Sequence, residues 1–216
     1  VWLYLATNKQ WWVSYTKDKD ARDNIGIAYN TTAVAAAAAA GGGATPLPHR
    51  AAAGTWKVFK NPGWDDQPAL AVRAIARAEA DRLEAAAAAA WDAAAARGPA
   101  AVTVAEATGL IAPYVNGTYD RVPAERAPGG PPVYKRRTKA PGGSQPWLYL
   151  AFVNKWLVSN TEDKDARKGL GWAGTAAAVT NGTLPHEAPT GGWEVCVDGK
   201  FVPQPSVTVT AAAPGH

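Results

Sequence analysis

The chain has 216 residues and a formal charge of +4, from 22 lysines and arginines against 18 aspartates and glutamates. Its single cysteine excludes a disulfide framework within the chain, and no apolar stretch is long and charge-free enough to span a membrane. No signal peptide is visible, and the lack of any Met, even at position 1, leads us to expect a processed or partial product of a longer polypeptide.

The first predicted element is an incomplete β module over residues 1–72, whose sequence returns later in the chain. Residues 2–34 align without a gap with 147–179, and 18 of these 33 pairs are identical. The Ala/Gly-rich segment 34–43 then holds extra residues, and we expect a surface loop there. Leu47-Pro48-His49 and Trp56 realign with residues 184–186 and Trp193. The repeat predicts one folding unit used twice.

A strand is predicted at Trp2–Leu5, and its apolar character is typical of a central strand. Nothing in copy one, however, matches Val102, Tyr119 or Tyr134 of copy two. We therefore expect partner strands from upstream residues of a longer chain or from another chain, because an exposed apolar edge favours association. Trp2 and Tyr4 are accordingly candidate partner contacts.

An Ala-rich helical linker is predicted next, over residues 73–100. Ala, Glu, Arg and Leu favour helix, and Gly98-Pro99 ends it. Ile75, Leu83 and Trp91 recur every eight residues and form a weak stripe. The helix could pack on a module, act as a semi-rigid spacer or present Trp91 to a partner. A spacer or docking role is favoured.

A complete β module is predicted over residues 101–210, with a tail at 211–216. Short β-branched and aromatic runs alternate with Gly, Pro and Asn turns, and Asp198-Gly199 indicates a hairpin. The fold class is therefore mainly β with one long helix: two related small antiparallel β modules, the first incomplete, joined by the Ala-rich helix. Cys196 aligns with Phe59, which predicts a small buried hydrophobic residue.

One dense basic cluster lies at residues 135–139, between two predicted strands. A solvated hairpin loop is the favoured interpretation, and an anion or nucleic-acid patch is the alternative. We discount nucleic acid because no aromatic-interleaved basic surface accompanies the cluster. Lys135, Arg136 and Arg137 remain candidate partner contacts.

Charged positions that match between the copies have structural explanations. Asp18 and Asp163 each begin an Asp-x-Asp pair, but the later ligands of a calcium loop are missing, so we expect turn carboxylates and no metal site. Arg22 and Arg167 predict a salt bridge within the same turn, with a ligand-clamping role as the alternative.

Two further sets of residues also fit turns. His49 and His186 occupy matched Leu-Pro-His turns, for which a structural role is favoured. Asn30, Asn116 and Asn181 begin glycosylation sequons, and glycosylation stays open because Asn-Gly is itself a turn sequence. No phosphate-binding loop, nucleophile elbow or Cys–His arrangement is present in the sequence, so we expect no enzyme activity, no catalytic residue and no cofactor.

Copy two resembles a small β-rich repeat module of algal and protist proteins. The pattern of that module is N-G-x-Y, P-x-Y, L-Y/W-Y, W-x-V/I-S and G-x-W-x-V. Here it corresponds to Asn116–Tyr119, Pro132–Tyr134, Leu148–Leu150, Trp156–Ser159 and Pro185 followed by Trp193–Val195. The match covers about residues 101–210, and its second half covers about 1–72. The resemblance implies a non-catalytic accessory module of larger proteins.

These observations favour a non-enzymatic structural or linker protein that engages protein partners in a larger assembly. One of those partners could complete the first module. The algal resemblance suggests, more specifically, a linker subunit of a photosynthetic or other multi-subunit complex, in a plastid. Peripheral membrane association stays open. The alternative is a glycan-binding or cell-surface module, because aromatic-rich β modules suit sugar stacking and the sequons suit an exported protein.

Overall fold

A computed structural model describes residues 2–31, 47–51, 54–60 and 63–212 of the chain. The chain divides into two compact units, Val1–Arg77 and Ala78–His216, which we call the first and second modules. The predicted surface loop at 34–43 lies outside the described residues. Within the described ranges, no helix combines the length and apolar character needed to cross a membrane.

The first module is built on a five-stranded antiparallel sheet, in the order β1-β2-β3-β4-β5. Its strands are β1 (Trp2–Leu5), β2 (Trp11–Ser14), β3 (Ala28–Asn30), β4 (Trp56–Lys60) and β5 (Gly63–Asp66). A short helix, α1 (Thr16–Ala21), connects β2 to β3, and a 3-10 turn (Pro48–Arg50) precedes β4. Among the described strands, β1 lies at the edge of this sheet, and its outer side has no described partner. The expected partner strand is therefore not among the described residues.

The second module contains a nine-stranded antiparallel sheet, in the order β13-β12-β11-β10-β9-β8-β7-β6-β14. Its strands are β6 (Ala101–Ala105), β7 (Gly117–Arg121), β8 (Tyr134–Arg136), β9 (Trp147–Leu150), β10 (Trp156–Ser159), β11 (Ala173–Thr175), β12 (Trp193–Val197), β13 (Lys200–Pro203) and β14 (Thr208–Ala212). The helices are α2 (Arg77–Arg97), α3 (Ala112–Val115) and α4 (Thr161–Asp165). Three 3-10 turns lie at Pro123–Glu125, Pro141–Gly143 and Pro185–Glu187.

The sequence repeat is also a structural repeat. Strands β1 to β5 correspond in order to β9 to β13, and α1 corresponds to α4. The register is preserved as well: Trp2 pairs with Ser14 in the first module, and Trp147 pairs with Ser159 in the second. The second module adds β6, β7, β8 and β14, which continue its sheet beyond β9. The described strands of the first module therefore correspond to the second half of the repeat.

Helix α2 packs on the sheet of the second module. It begins at Arg77, a few residues later than expected. Trp91 and Ala94 are its buried residues, and the Trp91 ring meets the Trp156 ring edge-on with centroids 6.3 Å apart. The Arg97 guanidinium fixes its C-terminal end by donating to the Glu187 carboxylate at 2.9 Å. Of the three roles left open for the helix, packing on a module is the one that the structure shows.

The two faces of the second sheet carry separate apolar clusters. The larger cluster joins α2 to alternate residues of the strands, including Tyr134, Leu148, Trp156 and Trp193. The smaller one, on the opposite face, contains Val133, Trp147, Tyr149, Ala151 and Leu157. Successive side chains of a strand point to opposite faces, which is why neighbouring residues of β9 belong to different clusters.

Cys196 does not have the buried position that its alignment with Phe59 predicted. Along β12, Trp193 and Val195 point into the larger cluster, and Cys196 therefore points to the other face. It is half-buried, and its counterpart Phe59 is exposed. The prediction was wrong because a shared apolar character was taken as a sign of burial.

Candidate functional site

A polar corner joins the second strand of the repeat to the helix that follows it, in the same way in both modules. The buried Ser159 hydroxyl donates to the Asp163 carboxylate at 2.6 Å. Ser14, also buried, donates to Asp18 in the first module. Both Asp residues are therefore turn carboxylates, as expected. The matched serines and aspartates four residues apart were visible in the alignment, but their pairing was not recognised there.

The matched arginines complete this corner through the main chain. Arg22 donates to the Leu5 carbonyl at 3.3 Å, and Arg167 donates to the Leu150 carbonyl at 3.4 Å. Both residues have a left-handed backbone, with φ of 51° and 46°, and each follows a helix of the repeat. The expected salt bridge within the turn is not formed by either arginine in the described residues, because a carbonyl lies closer to each guanidinium.

The phenol of the first strand is fixed in both modules as well. Tyr4 donates to the carbonyls of Asp23 and Ile25 at 2.8 and 3.2 Å, and Tyr149 makes the equivalent bonds. Burial raises the pKa of Tyr4, and the carboxylates of Asp18 and Asp23 raise it further. Tyr4, a candidate partner contact, is thus a buried residue whose hydroxyl is already bonded.

The modules differ at the outer side of the first strand of the repeat. In the second module β8 pairs with β9: Tyr134 lies opposite Leu148, and Lys135 lies opposite Trp147. In the first module nothing described occupies the outer side of β1. Trp2 is consequently 48% exposed, whereas its counterpart Trp147 is 6% exposed. This difference makes the outer side of β1 the candidate site.

The charges around these two tryptophans differ in the same way. Lys164 lies 4.4 Å from the Trp147 ring and contacts the carboxylates of Asp165 and Glu125, the second of which precedes β8. Burial lowers the pKa of Lys164, but its bonds to the two carboxylates outweigh that effect and raise it. Lys19 lies 4.6 Å from the Trp2 ring and pairs with Asp20. The first module thus repeats the cation, and none of its described residues takes the place of Glu125.

An open depression of about 440 Å³ runs beside β1. It is lined by Tyr4, Leu5, Trp11, Lys19, Asp20 and Arg22. The counterpart of Trp11 is Trp156, which the Tyr134 ring of β8 meets at a centroid distance of 6.3 Å. The counterpart of Lys19 is Lys164, which contacts Glu125. Residues of the chain around β8 therefore cover, in the second module, side chains that line an open groove in the first.

Two apolar side chains of the first module are also uncovered. Leu3 is 37% exposed and Leu47 is 52% exposed, while their counterparts Leu148 and Leu184 are fully buried. Both counterparts belong to the large cluster that contains Trp91 of α2. We refer to the outer side of β1, the groove and these two leucines together as the β1 surface.

The remaining candidate partner contacts lie in the second module. Trp91 is buried in the large cluster, so it is a core residue and does not face a partner. Lys135 lies 5.4 Å from the Trp147 ring. Arg136 donates to the Pro113 carbonyl, and Arg137 forms two-pronged bonds with Asp120, which raise the pKa of Arg137. The basic cluster is thus largely engaged within its own module.

The three sequon asparagines are not equally accessible. Asn30 is buried and donates to the Thr55 carbonyl, and Asn116 exchanges two hydrogen bonds with the main chain of Ala107. Asn181 is exposed. The folded protein therefore presents Asn181 to solvent and uses Asn30 and Asn116 as structural residues.

Comparison with known proteins gives no match. No family model, no curated protein and no solved structure is similar to the chain. Across the described ranges, no group of three or more His, Cys, Asp or Glu side chains could hold a metal ion.

Proposed function

We propose that the chain is a non-enzymatic structural protein that binds protein partners within a larger assembly, and that the β1 surface is where it binds. One observation supports this more than any other. The same strand is covered by the chain's own β8 in the second module and is uncovered in the first. The second module thus acts as an internal example of how such a surface is filled.

The composition of the uncovered strand favours a protein partner over solvent. Exposed edge strands usually carry charges or prolines that discourage pairing with other chains. Of the other described edges, β5 ends in Asp65 and Asp66, and β13 begins with Lys200 and ends with Pro203. Strand β14, with the sequence Thr-Val-Thr-Ala-Ala, also has no charge or proline but contains no large apolar or aromatic side chain beyond its valine. Strand β1 has the sequence Trp-Leu-Tyr-Leu, without a charge or a proline.

A more specific form of the proposal is a linker subunit of an algal photosynthetic or other multi-subunit complex. It rests on the resemblance of copy two to a repeat module of algal and protist proteins. In that setting, the first module would engage a neighbouring subunit while the second, whose strand β9 is already covered, would supply a self-contained domain.

Site-specific photocrosslinking tests the proposal. A photoreactive residue at Leu47 in the intact chain should give crosslinks to a defined protein in extracts of the native source, identified by mass spectrometry. The matched control is the same group at Leu110, which is 97% exposed in the second module and lies outside the β1 surface. Equal yields from the two positions, or a monomer by light scattering that crosslinks to nothing, would overturn the proposal.

A glycan-binding role is the second candidate, and an aromatic cluster in the first module favours it. Trp12, Tyr29, Phe59 and Trp64 lie together, with Trp12 stacked on Tyr29 at 4.7 Å and Trp64 edge-on to Phe59 at 5.4 Å. Exposed aromatic rings can stack on sugars, and Phe59 is exposed. Binding on a sugar array that Phe59→Ala abolishes would support this role. A blank array together with an unmodified Asn181 would remove it.

A further inference from the structure

We propose that the β1 surface binds its partner by strand addition, and that the partner is an extended segment of another polypeptide with an apolar–aromatic–basic order. This inference rests on the proposed function and specifies the chemistry of the partner. Main-chain hydrogen bonds give such binding its affinity, and side-chain pockets give it specificity. The pairing of β8 with β9 supplies the model for both.

The register of β8 and β9 shows which main-chain groups of β1 would bind an added strand. The Arg136 N–H donates to the Pro146 carbonyl at 3.0 Å, and two residues further along the ladder Tyr134 lies opposite Leu148. Hydrogen-bonded pairs alternate with non-bonded pairs along an antiparallel ladder. Leu148 therefore directs its N–H and C=O toward β8. Leu3 occupies the same position in β1, so its main-chain groups point to the open side.

The side chains that surround β8 indicate which side chains an added strand would carry. Tyr134 packs against Trp156 on one face of the sheet, and Lys135 approaches the Trp147 ring on the other. The equivalents in the first module are Trp11, which lines the groove, and the exposed Trp2. An incoming strand would thus place an aromatic ring in the groove and a cation over Trp2.

Charge complementarity adds a further requirement for the partner. In the second module Glu125 reaches Lys164 at 2.5 Å from the turn before β8. Lys19 is the equivalent cation, and Asp20 is the carboxylate paired with it. A partner that covers Trp2 removes Lys19 from water, so it needs to supply a carboxylate there. We therefore expect an acidic residue several positions before the aromatic one.

A second copy of this chain does not fit this role. The segment of the chain with the required order is β8, and β7 and β9 already pair with its two sides. Donation of β8 to another copy would open the sheet of the second module and expose its large cluster. We assign the occupant to a strand of a different polypeptide, and protection of Leu3 by residues that precede Val1 in the native polypeptide would overturn this assignment.

Titration of the intact, isotope-labelled chain with a synthetic peptide tests the inference. The peptide carries the sequence of residues 125–139, Glu-Arg-Ala-Pro-Gly-Gly-Pro-Pro-Val-Tyr-Lys-Arg-Arg-Thr-Lys, and so includes the carboxylate of Glu125. Saturable binding should shift the amide resonances of Leu3 and Leu5 and slow their hydrogen exchange by at least about tenfold. The Tyr4 amide, which already faces β2, should keep its exchange rate.

Two N-methylated peptides provide the matched control without any change to the protein. Methylation at the Tyr position blocks the hydrogen bond toward β1 and should weaken binding by about tenfold or more. Methylation at the Lys position faces away from β1 and should change binding by less than about twofold. Equal effects of the two would show that the peptide does not add as a strand.

Other outcomes would also overturn the inference. Peptide binding that leaves Leu3 and Leu5 unchanged would place the contact elsewhere, and no binding at millimolar peptide would exclude the expected chemistry. Protection of Leu3 in a dimer of the free chain would make a second copy the occupant. If crosslinks from Leu47 to a defined protein persist in any of these cases, the proposed function stands and only the mode of binding fails.

Discussion

Two buried tyrosines of the second module offer a sharp test of its core. The Tyr119 hydroxyl donates to the Val115 carbonyl at 2.6 Å, whereas the Tyr134 hydroxyl is buried and has no hydrogen-bond partner among the described residues. An unsatisfied buried polar group costs about 1–3 kcal/mol, and a satisfied one contributes about 1 kcal/mol. Tyr134→Phe should therefore leave the free energy of unfolding unchanged or raise it by about 1 kcal/mol, and Tyr119→Phe should lower it by about 1–2 kcal/mol.

The pH dependence provides a second readout of the same residue. Burial raises the pKa of Tyr134 to about 12, above its usual value near 10. Between these values the unfolded chain has lost a proton that the folded chain keeps, so this contribution to stability falls as the pH rises from about 10 to about 12. Tyr134→Phe should remove this contribution and make the alkaline loss of stability shallower, by about 1.4 kcal/mol per pH unit.

Hydrogen exchange of the β9 amides, measured by mass spectrometry, follows the second module separately from the first. The difference between the two tyrosine variants at pH 7 should be about 2 kcal/mol, or roughly 4–8 °C in the melting temperature of a unit of this size. If Tyr134→Phe destabilises the module as much as Tyr119→Phe does, the Tyr134 hydroxyl is bonded in solution and the argument is wrong.

Three further predictions concern packing and modification. Trp91→Ala should lower the free energy of unfolding by about 3–5 kcal/mol in the same exchange measurement. Leu83→Ala, on the exposed side of α2, should lower it by less than about 0.5 kcal/mol. Similar losses for the two variants would show that Trp91 is not a core residue. Gly171→Ala should lower the stability of the second module by about 1–3 kcal/mol, because the new Cβ would lie 2.7 Å from the Val158 carbonyl oxygen. An unchanged exchange rate would show that the backbone at Gly171 moves away from β10 without cost. Glycan mass spectrometry after expression in a eukaryotic host should find modification at Asn181 and none at the buried Asn30. A glycan on Asn30 of the folded chain would contradict the burial of that residue.

The sequence predicted the fold where a local rule determines the structure. The mainly β class with one long helix is confirmed, and the repeat correctly matched β1 to β9. The Asp198-Gly199 hairpin also follows from local chemistry, since both residues adopt the positive φ values, 50° and 76°, that this turn requires.

Predictions that depended on tertiary packing were less successful. Ile75, Leu83 and Trp91 are eight residues apart, but eight residues of an α-helix overshoot two full turns by about 80°. Leu83 and Trp91 therefore do not share a face, Ile75 lies before the start of α2 at Arg77, and only Trp91 of the three is buried. The candidate site is similar: nothing in residues 1–72 matches the sequence of β8, but the groove beside β1 and the exposure of Trp2 depend on how the strands pack.

The open side of β1 also bears on how much of this protein a cell could maintain in free form. An unpaired strand with an uncharged, aromatic sequence can template other strands, which makes the free chain prone to aggregation. Chaperones and proteases act on proteins that expose such surfaces. The abundance of the chain would then follow the supply of whatever covers β1, and an excess over that supply would be cleared. On the proposed function, the supply of the partner strand that covers β1 would thereby set the stoichiometry of the assembly.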